Sequence, residues 1–85
     1  MASEPTRQDA LALAGRAISL TIVGLYEPAL QLLTEAITMD DSVYWFYMRR
    51  GLLHSVLGHM TEAFDDLHRA VELDKQESEP LLQRA

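Results

Sequence analysis

The chain has 85 residues, enough for one small domain, and a formal net charge of −6 from thirteen acids against seven bases. It has no cysteine, so neither a disulfide framework nor a thiolate zinc site can reinforce what must be a modest core. The shortage of Lys and Arg argues against nucleic acid and against an anionic membrane surface as main partners, because both require clustered positive charge.

The first nine residues, MASEPTRQD, are polar and include Glu4, Pro5 and Asp9. They lack the basic start and apolar run of a secretory signal. No stretch approaches the run of about 18 apolar residues that membrane insertion needs. A soluble intracellular protein is expected, in the cytoplasm, with the nucleus also compatible.

Ser3 ahead of Glu4-Pro5 has the form of an N-cap followed by a first-turn proline, which opens a first helix over 5–23. Gly24 follows an apolar periodic stretch, where a left-handed residue ends a helix. A second helix runs over 27–39. Asp40-Asp41 then has turn chemistry, and Asp41-Ser42 offers an N-cap before Val43. A third helix covers 43–57 and is closed by Gly58. A fourth covers 60–73, and a fifth begins at 78. Connections this short make neighbouring helices antiparallel. No hydrophobic alternation persists long enough for a strand. The fold class expected is all-α, built of tandem antiparallel helical hairpins.

The chain resembles itself at a shift of 34 residues. Gly24 aligns with Gly58, Ala29 with Ala63, Leu33 with Leu67, Ala36 with Ala70, Asp40 with Asp74 and Arg16 with Arg50. A 34-residue period of paired helices has its own consensus, a large residue followed by Leu-Gly and Tyr, then Ala-x3-Phe, then a terminal Pro. The second unit reads Tyr47-x2-Arg50-Gly51-x2-His54, then Ala63-x3-Leu67 and Ala70. The first reads Leu13-x2-Arg16-Ala17-x2-Leu20, then Ala29-x3-Leu33 and Ala36. On these residues the chain resembles the tetratricopeptide-repeat family, as an α-solenoid fragment. The second unit follows the pattern closely. The first departs at its glycine slot, which holds Ala17, and both lack the terminal proline.

The expected organisation is one domain over 1–85, with units over 10–43 and 44–77. Residues 78–85 start a third unit or form a cap, since Leu81-x2-Arg84-Ala85 repeats Leu13-x2-Arg16-Ala17. The small residues Ala17, Gly51, Ala29, Ala63, Ala36 and Ala70 are placed where helices approach most closely. The first half also resembles the first hairpin of the three-helix MIT domain, which binds helical peptides. The second half does not follow that family.

The resemblance implies that the first helix of each unit lines a concave, partner-binding face. Its slots fall on Leu11, Ala14, Ile18 and Ile22, with Gly15 and Thr21 between them. In the second unit they fall on Trp45, Met48, Arg49, Leu52 and Val56, with Ser55. Positions 11, 15, 18 and 22, and likewise 45, 49, 52 and 56, form helical stripes. A second stripe, with Leu13, Ala17, Leu20, Tyr47, Gly51 and His54, is expected in the core. A third row, Phe46, Leu53 and Leu57, should pack on the preceding hairpin. Helix 43–57 is therefore apolar nearly all round, and two hairpins cannot cover every side of it. An exposed apolar patch follows.

The expected function is non-catalytic protein–protein interaction, an adaptor or scaffold taking an apolar or amphipathic partner helix or peptide on the concave face. The alternatives are structural self-assembly, as a homodimer or a continuing solenoid, and an MIT-like domain that binds helical peptides. Relatives that grip a C-terminal carboxylate do so with Lys and Asn on these slots, and here Ala14, Ile18 and Arg49 stand there, so that mode is not expected. His54, His59 and His68 make no i,i+4 pair, which argues against zinc. Asp65 and Asp66 point about 100° apart on a helix and do not form a dyad. Arg16 and Arg50 are expected to pair with acids on a neighbouring helix. No phosphate loop, nucleophile elbow or HExxH motif occurs, so no cofactor, metal or enzymatic activity is expected.

Overall fold

A computed structural model describes residues 6–84, with side chains described over 6–76. The protein is all-helical over these residues, with α1 at Arg7–Ile22, α2 at Tyr26–Met39, α3 at Tyr44–Val56 and α4 at Met60–Arg84.

Thr6 caps α1. Its hydroxyl accepts from the Asp9 amide at 3.2 Å, and the Asp9 carboxylate accepts from the Thr6 amide at 3.0 Å. Two otherwise orphaned donors are thereby satisfied reciprocally. The helix thus starts one turn later than Ser3 implied, and Ser3 lies outside the described residues. Gly24 and Gly58 stop α1 and α3 with φ of +87° and +85°. At both ends the glycine amide bonds back three residues, to Thr21 and Ser55. The next amide bonds back five, from Leu25 to Leu20 and from His59 to His54. This double bond pattern needs a left-handed residue at the glycine position, which a Cβ would strain.

At the junction between α2 and α3, Asp40 organises the turn. Its carboxylate accepts from the Ser42 amide at 3.1 Å and from the Ser42 hydroxyl at 2.6 Å. The cap of α3 is Val43, which has no side-chain acceptor to offer, so the expected Asp41-Ser42 cap lies one residue too early. The separate fifth helix is not formed either. Helix α4 continues without a break through 74–77 to Arg84. Asp74-Lys75-Gln76-Glu77 contains no glycine to supply a left-handed stop, and Lys, Gln and Glu are good helix formers. The reading of 81–85 as the start of a third unit rests on side chains outside the described residues.

Helix α1 packs on α2, α2 on α3 and α3 on α4. The start of α1 meets the end of α2, where Arg7 Nε donates to Asp40 at 2.7 Å. The start of α3 likewise meets the distal part of α4, where Tyr44 and Asp74 line one groove. Within each pair the helices are therefore antiparallel. Among the described residues the main core cluster is Ala10, Ala14, Ala17, Ala29, Leu33, Ala36, Ile37, Phe46 and Leu53, and Ala63, Ala70 and Leu73 of α4 are buried besides. Alanine dominates it because consecutive helices lie close. A Cβ added at Gly51 would stand 3.0 Å from Leu67 Cγ and 3.2 Å from the Ala63 carbonyl oxygen. Of the expected row Phe46, Leu53 and Leu57 that packs on the preceding pair, Phe46 and Leu53 are buried there, whereas Leu57 is half-buried and outside the cluster.

Candidate partner-binding surface

Most of the sequence-derived slots on α3 reach the surface. Met48, Leu52 and Val56 are exposed, Leu52 to 49 %. Arg49 and Trp45 are half-buried. Trp45 leans on the core and meets the Phe46 ring edge-on at 4.8 Å. On α1, Leu11 and Ile22 are exposed, and Ile18 and Thr21 are half-buried. Ala14 departs from the expectation. It is 0 % exposed, inside the core cluster, and no partner can touch it in this fold. A methyl group in an otherwise exposed stripe can slip into a close helix–helix contact, and here it does.

The two rows meet at the starts of α1 and α3. Leu11, Val43, Tyr44 and Trp45 line a cavity of about 220 Å³ there, with Arg7 and Ser42 at its polar side. Arg7 Nη2 donates to the Ser42 hydroxyl at 3.0 Å and Arg7 Nε to Asp40. These bonds from Ser42 and Arg7 hold the Asp40 carboxyl down at about 2, from an ordinary 3.8. Arg7 was not among the sequence-derived residues. Asp40 and Ser42 lie more than thirty positions from it, and no local pattern announces these bonds.

Among the described residues, the buried charge is Asp66 on α4, paired with α3. Asp66 is 5 % exposed and accepts two bonds from Arg50, both at 2.8 Å. The paired carboxylate raises the Arg50 guanidinium above its ordinary value. His54 Nε2 stands 3.8 Å from the same carboxylate, and its Nδ1 lies 3.1 Å from His59 Nδ1, so one of the two rings must donate to the other. Arg50 thus pairs across helices as expected. Arg16 does not match it: Arg16 is exposed, and the position equivalent to Asp66 in the first unit is Leu32. Among the described residues no group of three or more His, Asp or Glu side chains is arranged to hold a metal ion, and no helix is long and apolar enough to cross a membrane.

A second groove, of similar volume, lies between α3 and α4, lined by Tyr44, Met48, Leu67, Ala70, Val71 and Asp74. Met60 and Phe64 continue the exposed apolar row along α4. Apart from Met48, none of these residues was a sequence-derived site residue. The signal for them was present in the 34-residue alignment, which pairs Val71 with Ile37, Phe64 with Leu30 and Met60 with Tyr26.

Compared with protein-family models, with curated proteins and with solved structures, the chain has no match.

Proposed function

We propose that the chain is a non-catalytic protein–protein interaction module of tetratricopeptide-repeat type, serving as an adaptor or scaffold. It takes an apolar or amphipathic segment of another protein along α1 and α3. The observation that carries this reading is the exposed row Met48, Leu52 and Val56 on α3, together with Leu11 of α1 and Trp45 of α3, which line one cavity at the helix starts. A helix this apolar normally has its sides covered, and uncovered apolar rows of this kind mark interaction sites. The 34-residue repeat and the small residues at its helix contacts support the family assignment.

The test is Ile18→Glu combined with Leu52→Glu. Both positions lie at least partly at the surface, so the helical circular-dichroism signal should persist while capture of the partner is lost. Unfolding of the double variant would place these side chains in the core and remove the assignment.

A further inference from the structure

The groove between α3 and α4 has a counterpart inside the same chain. Shifted back by 34 residues, its lining residues Tyr44, Met48, Leu67, Ala70, Val71 and Asp74 become Ala10, Ala14, Leu33, Ala36, Ile37 and Asp40. Those first-unit residues are buried or nearly so, because α3 packs on α2 and sinks Phe46 and Leu53 into the same cluster. The row along the helix repeats the contrast. Tyr26, Leu30 and Ile37 of α2 are packed against the core, whereas Met60, Phe64 and Val71 of α4 are 57 %, 77 % and 58 % exposed. Helix α4 runs straight on to Arg84 and does not turn back over this surface. One unit of the chain therefore displays what covers a surface of this design, and the other displays the surface uncovered.

We infer that the α3–α4 face docks an amphipathic helix of a partner protein in the way α3 docks on α1 and α2. This rests on the interaction-module reading and names a second surface of it, which borders the row through Leu52 at Met48. The chemistry of the partner helix follows from α3. It carries an aromatic residue near its start and a leucine seven positions later, as Phe46 and Leu53 do. Its N-terminus lies at Asp74, as that of α3 lies at Asp40, where the positive end of the helix dipole faces a carboxylate. At the first unit Arg7 neutralises Asp40. The equivalent of Arg7 is Asp41, so the sequence repeats no cation there for Asp74, which lines the groove and favours a partner helix that brings its own Lys or Arg at the start.

A second copy of the chain fits this surface poorly. The α3 of another copy already has Phe46 and Leu53 buried in its own core. The residues of α1 that correspond to Val43, Phe46, Arg50 and Leu53 are Asp9, Ala12, Arg16 and Ser19, which are exposed and offer neither aromatic nor leucine. Head-to-tail stacking would lay that polar face on an apolar groove, at a desolvation cost without apolar burial in return.

The probe is a fluorescein-labelled peptide of residues 42–58 of this chain, titrated with the whole protein and followed by anisotropy. Saturable one-to-one binding is expected. Phe46→Asp in the peptide, or Phe64→Glu with Val71→Glu in the protein, should each weaken it about tenfold or more. Leu52→Glu in the protein should leave it unchanged. Phe64 and Val71 are exposed, so circular dichroism of that variant should match the parent. No saturable binding, or equal binding by the Phe64→Glu, Val71→Glu protein, would overturn the inference. Loss with Leu52→Glu alone would move the helix to the α1–α3 row, leaving the module reading standing and removing this one. A parent that is dimeric by light scattering, and monomeric once Phe64 and Val71 are replaced, would show that a second copy occupies the face.

Discussion

Arg50 and Asp66 are the sharpest single-residue test of the packing. The carboxylate is buried, and its two charge-assisted bonds come from one guanidinium. Removing that partner leaves a charge out of water with only the distant His54 ring nearby, which typically costs about 3–5 kcal/mol. Arg50→Met should therefore destabilise strongly in denaturant titrations, and adding Asp66→Leu should restore most of the loss. If the single and double variants were equally unstable, the pair would not be the cause. Asp40 is the pH-sensitive counterpart. Its folded value of about 2 lies below its ordinary 3.8, so its contribution is fully present above the higher value and fades as pH falls through the lower. Asp40→Asn should cost about 1 kcal/mol at neutral pH after allowance for solvent screening. Parent and variant stabilities should converge in acid, near the folded value of Asp40. A gap that persisted there would point to lost geometry rather than lost charge.

Helix limits followed the local chemistry where it was strong and missed where a single residue type had been asked to decide. Gly24 and Gly58 stand at the left-handed positions their context required, since the double bond pattern tolerates almost nothing else. The caps were less legible. Thr6 and Asp9 compete with Ser3 as a start signal, and only the reciprocal bonds of the folded helix distinguish them. The break expected between 73 and 78 had no local stop signal behind it, and α4 continues through it. Close approach of α3 and α4 was legible from Gly51 and Ala63 and is tight in the structure, with the Ala63 carbonyl 3.2 Å from where a Gly51 Cβ would be. Ala63→Leu should then cost about 1–3 kcal/mol by overpacking. In a domain of this size that lowers the melting temperature by roughly 4–8 °C per kcal/mol. An unchanged melting temperature would show that the two helices can separate freely.

At the scale of the molecule, the radius of gyration is 14.0 Å, against roughly 12 Å for a compact domain of this length. The shortest dimension is 19 Å, room for about two layers of helices packed 8–10 Å apart. A slab of that thickness buries only the sides of its helices that face one another. This is why α3, apolar nearly all round, keeps Met48, Leu52 and Val56 in solvent while Phe46 and Leu53 are enclosed. The amino-acid sequence by itself determined the helical class, both glycine stops, the small residues at the contacts and the division of α3 into buried and surplus apolar rows. Each of these depends on spacing along one helix or on one residue's conformational freedom. Only the tertiary structure decided that Ala14 is enclosed, that Arg7 reaches Asp40, that Arg50 has a buried partner while Arg16 is exposed, and that the α4 row through Phe64 and Val71 stands uncovered. Those outcomes depend on which distant surface arrives at a given face, and a periodic pattern states that a face is apolar without stating what will cover it.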